Sequence, residues 1–189
     1  MILEDALAAD IPAIVALVNL AFRGNGATRS WNGEQAYIAG DGTSVALLEA
    51  DIAAKPDARL LIVRDEKTHA PIASVWLEPR PGGIWYLGAL TIDPALQNGG
   101  AGRRMLAAAE AWVRARGGEA IRMTVVNVRD TLIAWYLRRG YRLTGETEAF
   151  PYDDDRFGVP LRDDLHFVLL EKALATPPAT SAAGRTGWR

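Results

Sequence analysis

The residues best suited to chemistry form a glycine-rich segment, Gln97–Arg104, which lies between a predicted strand and a predicted helix. Gly99, Gly100 and Gly102 would let the backbone approach a ligand closely, and the first amides of the following helix have no partner within the helix. Such an arrangement binds anionic oxygens, phosphates above all. The alternative is a structural turn without a ligand.

Two common phosphate-binding fingerprints do not match this segment. A dinucleotide fingerprint that starts at Gly100 would need its third glycine at Met105, and the Gly-Lys-Ser/Thr of a Walker A loop is missing. The pattern that does fit is Gln97-x-x-Gly100-x-Gly102.

Composition narrows the function classes. The chain has 189 residues and a formal net charge of −2, which gives no basic footprint for nucleic acid. It has no cysteine, and its two histidines, His69 and His166, are far apart, so we expect no metal site. No apolar run is long enough to span a membrane, and Glu4 and Asp5 lie where a signal peptide would carry positive charge. We therefore expect a cytoplasmic protein.

The first part of the chain is predicted to be mainly helical. A short strand is expected within residues 1–5, followed by an amphipathic helix over 11–23. A second, short helix is expected over 32–38, with Asn32 as its cap. Ser44 should cap a third helix that ends near residue 54.

Strands dominate the middle of the chain. Apolar runs bounded by turn residues predict strands over 59–64, 72–77 and 84–92, which short turns join into an antiparallel meander. A helix follows over 103–116, and a strand over 120–126 comes after it. Because a helix separates these last two strands, they should be parallel in a right-handed crossover.

A helix over 128–139, with Asn127 or a neighbour as its cap, and strands over 141–148 and 165–172 complete the predicted domain, residues 1–173. Residues 174–189 are small and polar and are expected to form a disordered tail. The element order is β-α-α-β-β-β-α-β-α-β-β. It predicts a mixed α/β (α+β) fold with a central mixed sheet of six to seven strands, flanked by helices.

This order and two motifs resemble the GNAT superfamily of acetyl-CoA-dependent N-acetyltransferases. Gln97-x-x-Gly100-x-Gly102 is similar to the family's pyrophosphate-binding loop. The segment from Asn127 through Tyr136-Leu-Arg-Arg-Gly-Tyr141 is similar to its "N…A…FYxxxGF" segment. The resemblance covers roughly residues 1–173.

The resemblance implies that the chain holds acetyl-CoA and needs no metal. The amides of residues 98–103 would bind the pyrophosphate, and Gln97 would shape the loop. Two parallel strands, around Leu90 and Val126, would splay apart and receive the pantetheine arm, and the Leu90 amide would donate to the oxyanion. Tyr136 would be the general acid, since a phenol stays protonated at neutral pH. The residues expected to contact acetyl-CoA are Leu90, Thr91, Ile92, Gln97, Asn98, Gly99, Gly100, Ala101, Gly102, Arg103 and Asn127.

No general base stands out. Some relatives carry an acidic residue or histidine on the strand before the glycine loop, but residues 84–92 contain neither. A base must then act through water, or the amine must arrive neutral. The candidates are Glu34, Glu78, Tyr86 and His166.

The helical arm and the loop over 150–164 should flank the acceptor. Arg23, Arg29, Trp31 and Tyr86 are candidate substrate residues, and Asp153 to Asp155 could attract a cationic amine. The expected function is acetylation of a primary amine on an amino-acid-like or polyamine-like small molecule. The alternatives are a non-catalytic acyl-CoA-binding or sensing module and a protein or peptide N-acetyltransferase. Homodimers are common in the family, but no sequence feature specifies an interface.

Overall fold

A computed structural model describes residues 1–24, 33–97, 99–154 and 158–174. The strands are β1 (Glu4–Asp5), β2 (Ile38–Ala39), β3 (Arg59–Arg64), β4 (Pro71–Arg80), β5 (Ile84–Ile92), β6 (Ala120–Val126), β7 (Arg142–Ala149), β8 (Val159–Pro160) and β9 (His166–Ala173). The α-helices are α1 (Ile11–Arg23), α2 (Val45–Ala54), α3 (Ala101–Arg114) and α4 (Asp130–Leu137).

One seven-stranded mixed sheet organises the chain, with the order β1-β3-β4-β5-β6-β9-β7. Neighbours pair antiparallel except β5 and β6, which are parallel and connected through α3. The predicted meander, the parallel crossover and the mixed sheet of six to seven strands are therefore confirmed.

Both faces of the sheet are covered. The core contains Leu77, Met105 and Ile121, which are all fully buried and belong to the same apolar cluster as most of the buried face of α3. A separate cluster joins Ile14 and Val18 of α1 to Ile62 of β3. Because strand side chains alternate between faces, the central strand β4 is buried at every position from 73 to 78.

Local signals place most helix ends correctly. The Ser44 hydroxyl accepts a hydrogen bond from the Leu47 amide at 3.3 Å, as expected of an N-cap. Pro12 lies in the first turn of α1, where its missing N–H costs nothing. Gly100 precedes α3 with φ of +73°, a conformation that favours glycine.

The predicted helix over residues 32–38 is wrong for the residues that are described. Residues 35–37 form a turn, and Ile38 and Ala39 form β2, which pairs with β8 in a separate two-stranded sheet. The pairing partner lies about 120 residues further along the chain, so no local pattern could predict it. Among the described residues, no helix is long and apolar enough to cross a membrane.

Two paired leucines give a test of the fold. Leu143 on β7 and Leu170 on β9 are register partners, yet Leu170 is 0 % exposed and Leu143 is 49 % exposed. We expect Leu170→Ala to lower the free energy of unfolding by about 2–5 kcal/mol, because it opens a cavity in the core. Leu143→Ala should change it by about 0.5 kcal/mol or less. Urea denaturation of the two variants measures both values, and equal losses would contradict the assigned burial.

Candidate functional site

The site begins at an irregularity in β5. The register between β4 and β5 shifts between Ser74 and Trp76, so that β5 carries one more residue than its partner there. Ala89 lies in this bulge with φ of +45°, a conformation that is uncommon for a residue with a side chain. The Thr91 hydroxyl donates to the Ala89 carbonyl at 2.9 Å and supports the bulge.

Beyond the bulge, β5 separates from β6. The parallel pairing covers only Ile84, Trp85 and Tyr86 of β5, although β5 continues to Ile92. β6 meanwhile keeps its pairing with β9 as far as Val126. The second half of β5 therefore has no strand partner on its β6 side, and a gap opens between the two parallel strands.

A rigid turn then leads into the glycine loop. The Asp93 carboxylate accepts from the Ala95 amide at 2.9 Å and starts a short 3-10 turn, Pro94–Leu96. Arg104 donates to the Gly99 carbonyl at 2.7 Å. A Cβ atom at Gly102 would lie 3.4 Å from the Trp135 ring, so the start of α3 packs closely against α4.

A cavity of about 460 Å³ lies where the gap in the sheet meets the start of α3. We call it the first cavity; its lining includes the end of β5, the glycine loop and one face of α4. Nine of the predicted ligand residues line it: Leu90, Thr91, Ile92, Gln97, Gly100, Ala101, Gly102, Arg103 and Tyr136. Gly99 and Asn127 are not among its lining residues, and Asn98 lies outside the described residues.

Tyr136 is 5 % exposed and makes edge-to-face contacts with Trp135 and Tyr141, at 4.9 Å and 5.5 Å between ring centroids. Burial raises the pKa of the Tyr136 phenol to about 12, because the charged phenolate would lose its hydration. At neutral pH the phenol is therefore a proton donor at the wall of the first cavity.

Two arginines that the sequence analysis did not single out also line the first cavity. Arg138 and Arg139 come two and three residues after Tyr136, and the Arg139 guanidinium lies 3.6 Å from the centroid of the Trp135 ring. Arg139 Nε is buried and has no hydrogen-bond partner among the described residues. Burial, and then the neighbouring charges of Arg138 and Arg103, lower the pKa of Arg139. The four-residue spacing from Trp135 was the available signal for the stack.

A second cavity, of about 590 Å³, lies on the opposite side of the bulge. Gly88 and Ala89 contribute to its wall, together with α1, α2 and the starts of β2 and β9. Arg23 and Tyr86, two of the predicted substrate residues, line it, while Arg29 and Trp31 lie outside the described residues. The Tyr86 hydroxyl is 3.0 Å from the Thr124 hydroxyl on β6.

Glu34 lies at the charged end of the second cavity. One of its carboxylate oxygens accepts from Arg23, and the other accepts from Arg129 at 2.8 Å. All three side chains are at least 85 % buried. Because guanidinium groups already bind both of its carboxylate oxygens, Glu34 is poorly placed to act as a general base.

Glu78 is also held by cations. Lys55 lies 2.9 Å and Arg80 3.1 Å from its carboxylate, and the Trp76 indole donates to it at 3.4 Å. Burial alone would raise the pKa of Glu78, but these hydrogen bonds and charges outweigh it, so that its pKa lies below the usual range.

Asn127 connects two strands instead of capping a helix. Its side chain donates to the Asp164 carbonyl and accepts from the His166 amide, both at 3.1 Å. The residue before α4 is Arg129, and no side chain caps that helix, which corrects the expected cap. Neither Asn127 nor His166 lines either cavity.

Comparison with known families gives one domain match. The sequence profile described as the acetyltransferase (GNAT) family matches residues 19–141, which include the glycine loop, the bulge and Tyr136. Comparison with curated protein sequences gives no match.

Solved structures share the fold at low identity. The ribosomal-protein-S18-alanine N-acetyltransferase from Escherichia coli is 14 % identical with a TM-score of 0.63, over 100 % of this chain and 99 % of that chain. The ribosomal-protein-alanine N-acetyltransferase from Brucella melitensis is 18 % identical with a TM-score of 0.64, over 92 % and 100 %. Nourseothricin acetyltransferase is 20 % identical with a TM-score of 0.52, over 64 % and 67 %.

The lowered pKa of Glu78 gives a test of the charges beside the second cavity. A carboxyl group with a lowered folded-state pKa stabilises the fold above its unfolded pKa, near 4.5, and this stabilisation is lost as the pH falls through the folded value. At pH 7 we expect Glu78→Gln to cost about 1–3 kcal/mol, because charged hydrogen bonds are lost. When urea denaturation is repeated at a series of pH values, the difference in unfolding free energy between wild type and Glu78→Gln should shrink steadily below the unfolded pKa. A constant difference across the series would contradict the assigned ion pairs.

Proposed function

Because the chain belongs to the acetyltransferase (GNAT) family, we propose that it transfers an acetyl group from acetyl-CoA to a primary amine of a small acceptor, of the amino-acid-like or polyamine-like kind. The observation that carries the proposal is the pair of cavities on either side of the β5 bulge. Leu90 to Ile92 face the first cavity, and Gly88 and Ala89 face the second. Two reactants bound in these cavities would meet at the bulge.

The first cavity suits the phosphates of acetyl-CoA. The start of α3 offers amides without a partner within the helix, and the glycine loop lets a phosphate come close to them. Arg103, Arg138 and Arg139 add positive charge to the same wall. We assign Gln97, Asn98 and the residues from Gly99 to Arg103 to the pyrophosphate, with Arg138 and Arg139 as additional phosphate partners.

The gap between β5 and β6 suits the pantetheine arm. From Leu87 onward, the β6 side of β5 has no ladder, although backbone N–H and C=O groups need partners. The arm contains amide groups, and we assign Leu90, Thr91 and Ile92 to it. The Asn127 side chain is already bound to the start of β9, so we assign its role to holding the open end of the gap.

The chain's own residues then perform three tasks. The walls of both cavities hold the amine nitrogen against the thioester carbonyl carbon. The Leu90 amide donates to the carbonyl oxygen as it becomes an oxyanion. As the new C–N bond forms and the C–S bond breaks, Tyr136 donates its phenolic proton to the sulfur that leaves. The high pKa of Tyr136, about 12, keeps the proton in place until the thiolate develops.

The amine must lose a proton before or during attack. Of the candidate bases, Glu34 and Glu78 are bound by cations, and His166 lines neither cavity. The amine therefore enters in its neutral form or passes its proton to water. Tyr86, on the wall of the second cavity, is placed to orient that water.

A protein N-terminus is the second candidate acceptor. Two of the structures with the same fold are described as N-acetyltransferases of ribosomal-protein alanine. A turnover assay that compares free amines with peptides of the same N-terminal residue separates the two acceptors. A chain that binds acetyl-CoA but acetylates neither would be the non-catalytic binding module instead.

The glycine loop can be tested with two glycines of nearly equal conformation. Gly100 has φ of +73° and lines the first cavity, whereas Gly117 has φ of +77° at the far end of α3. We expect Gly100→Glu to abolish acetyl-CoA binding, because the side chain would fill the phosphate site with negative charge. Gly117→Glu carries the same backbone strain and charge and should retain wild-type affinity. Isothermal titration calorimetry measures both, and unchanged affinity in folded Gly100→Glu would refute the loop assignment.

Tyr136 can be tested against a buried tyrosine beside it. Tyr136→Phe should lower kcat by about 100-fold or more, since it removes the acid and little else. Tyr141→Phe alters the same aromatic cluster but removes a hydroxyl that binds Glu110, away from both cavities. Its kcat should stay within about threefold of wild type, by analogy with other changes that do not touch the reacting atoms. Steady-state kinetics measures kcat for both variants. If the Tyr136→Phe enzyme is as fast as the parent, Tyr136 serves only in packing and is not the general acid.

A further inference from the structure

The second cavity lies between two separate apolar clusters of the described residues. One cluster packs α1 and α2 against β3, and it lines the cavity with Ile14, Val18, Phe22 and Leu48. The other joins the small sheet to the end of β6 and the start of β9, and it lines the cavity with Ile38, Val126, Phe150 and Phe167. Apolar side chains that face a cavity are packed on one side only, so they lack contacts that a close-packed core would supply.

Most polar atoms in the aromatic part of the lining are bound within the protein. The Trp76 indole donates to Glu78 at 3.4 Å, and the Tyr86 hydroxyl lies 3.0 Å from the Thr124 hydroxyl. Ser74 differs, because it is 1 % exposed and its hydroxyl has no hydrogen-bond partner among the described residues. It lies beside the bulge, where the register of β4 shifts. A ligand therefore meets apolar surface along the walls and a polar group at the bulge.

The charged residues of the cavity are engaged with one another. Among the described residues that line it, Arg23, Glu34, Asp51 and Lys55 carry charge, two of each sign, so this lining has no net charge. Guanidinium groups bind both carboxylate oxygens of Glu34, Lys55 binds Glu78, and Asp51 also has an interaction partner. A second ammonium group on an acceptor would lose its hydration here without an uncommitted carboxylate to replace it.

From these features we propose that the acceptor is a primary amine with an apolar alkyl or aryl body and no second ammonium group. The inference rests on the proposed function, which it narrows by excluding the polyamine-like kind of acceptor. The body fills the space between the two apolar clusters, and the amine lies at the bulge. The transfer is that of the proposed function: the amine nitrogen forms the amide bond, the thioester C–S bond breaks, the amine proton leaves to water, and the sulfur gains a proton from Tyr136.

The apolar walls also bear on the missing general base. Removal from water disfavours the charged form of an amine, so the pKa of the bound amine falls. A larger share of the bound acceptor is then neutral at a given pH. A neutral nitrogen attacks the thioester without the help of a protein base.

The test compares acceptors in which a terminal methyl group replaces an ammonium group. Wild-type enzyme with saturating acetyl-CoA is assayed for release of free CoA thiol with hexylamine and cadaverine, and with norleucine and ornithine. The members of each pair have chains of equal length and differ in that one group. In each pair that the enzyme acetylates, we expect kcat/KM to be about tenfold or more higher for the methyl member, because the second ammonium group would lose its hydration.

Two glutamate substitutions on α2 locate the effect. Leu47 lines the second cavity, whereas Val45, which is 37 % exposed, is not among its lining residues. Leu47→Glu adds a carboxylate to the apolar wall and should reduce the preference for hexylamine over cadaverine by about tenfold, through one charged contact. Val45→Glu adds the same charge to the same turn of the helix and should keep the wild-type ratio. A ratio between two acceptors does not depend on the fraction of enzyme that is folded.

Several outcomes would overturn the proposal. Equal or faster turnover of cadaverine and ornithine would refute the apolar acceptor while leaving the proposed function intact. An unchanged ratio in Leu47→Glu would refute the placement of the body in the second cavity. If the enzyme acetylates other amines or peptides but none of these four, the acceptor class alone is refuted. Absence of acetyl-CoA binding in calorimetry, or of any acetylation, would refute the proposed function, and this inference with it.

Discussion

The parallel pairing of β5 with β6 ends after Tyr86, and most features of the site depend on this early end. A bulge at Ala89 turns the second half of β5 away from its neighbour, and the antiparallel pairing of β6 with β9 prevents β6 from following. Unpaired backbone groups inside a sheet are costly unless a ligand or water binds them. The bulge lies between the two cavities, so that Leu90 to Ile92 line the arginine-bearing first cavity and Gly88 and Ala89 line the second.

Charge is divided between these cavities in a consistent way. Arg103 of α3 and the two arginines that follow α4, Arg138 and Arg139, line the first cavity, where the start of α3 adds its own partial positive charge. In the second cavity, the buried carboxylate of Glu34 is held by two arginines. The protonation states of two ionisable groups have different causes. Burial keeps the Tyr136 phenol protonated, whereas hydrogen bonds from cations keep the Glu78 carboxylate charged despite its burial.

Much of the fold could be predicted from the sequence, and the errors have identifiable causes. Helices α1, α2 and α3 and strands β3 to β6 were predicted within a few residues, because their apolar periodicity and their turn residues are strong local signals. The helix expected near residue 35 was wrong, since Ile38 and Ala39 instead pair with residues 159 and 160. Asn127 was expected near the cap of α4, but its amide binds the start of β9, 37 and 39 residues away.

The glycine loop, the strand before it and the helix after it are contained in one continuous segment, so residue type and spacing predict this strand–loop–helix arrangement, which the structure has, and with it a phosphate site that stays a prediction. Tyr136 followed in the same way from its place in a second local motif. The second cavity is different, because its charged end joins Glu34 to Arg129, 95 positions apart, and its walls come from elements spread over most of the domain. Periodicity predicts which face of an element is apolar, but it does not predict which distant face packs against it. The contacts that would select the acceptor therefore emerged only from the folded chain.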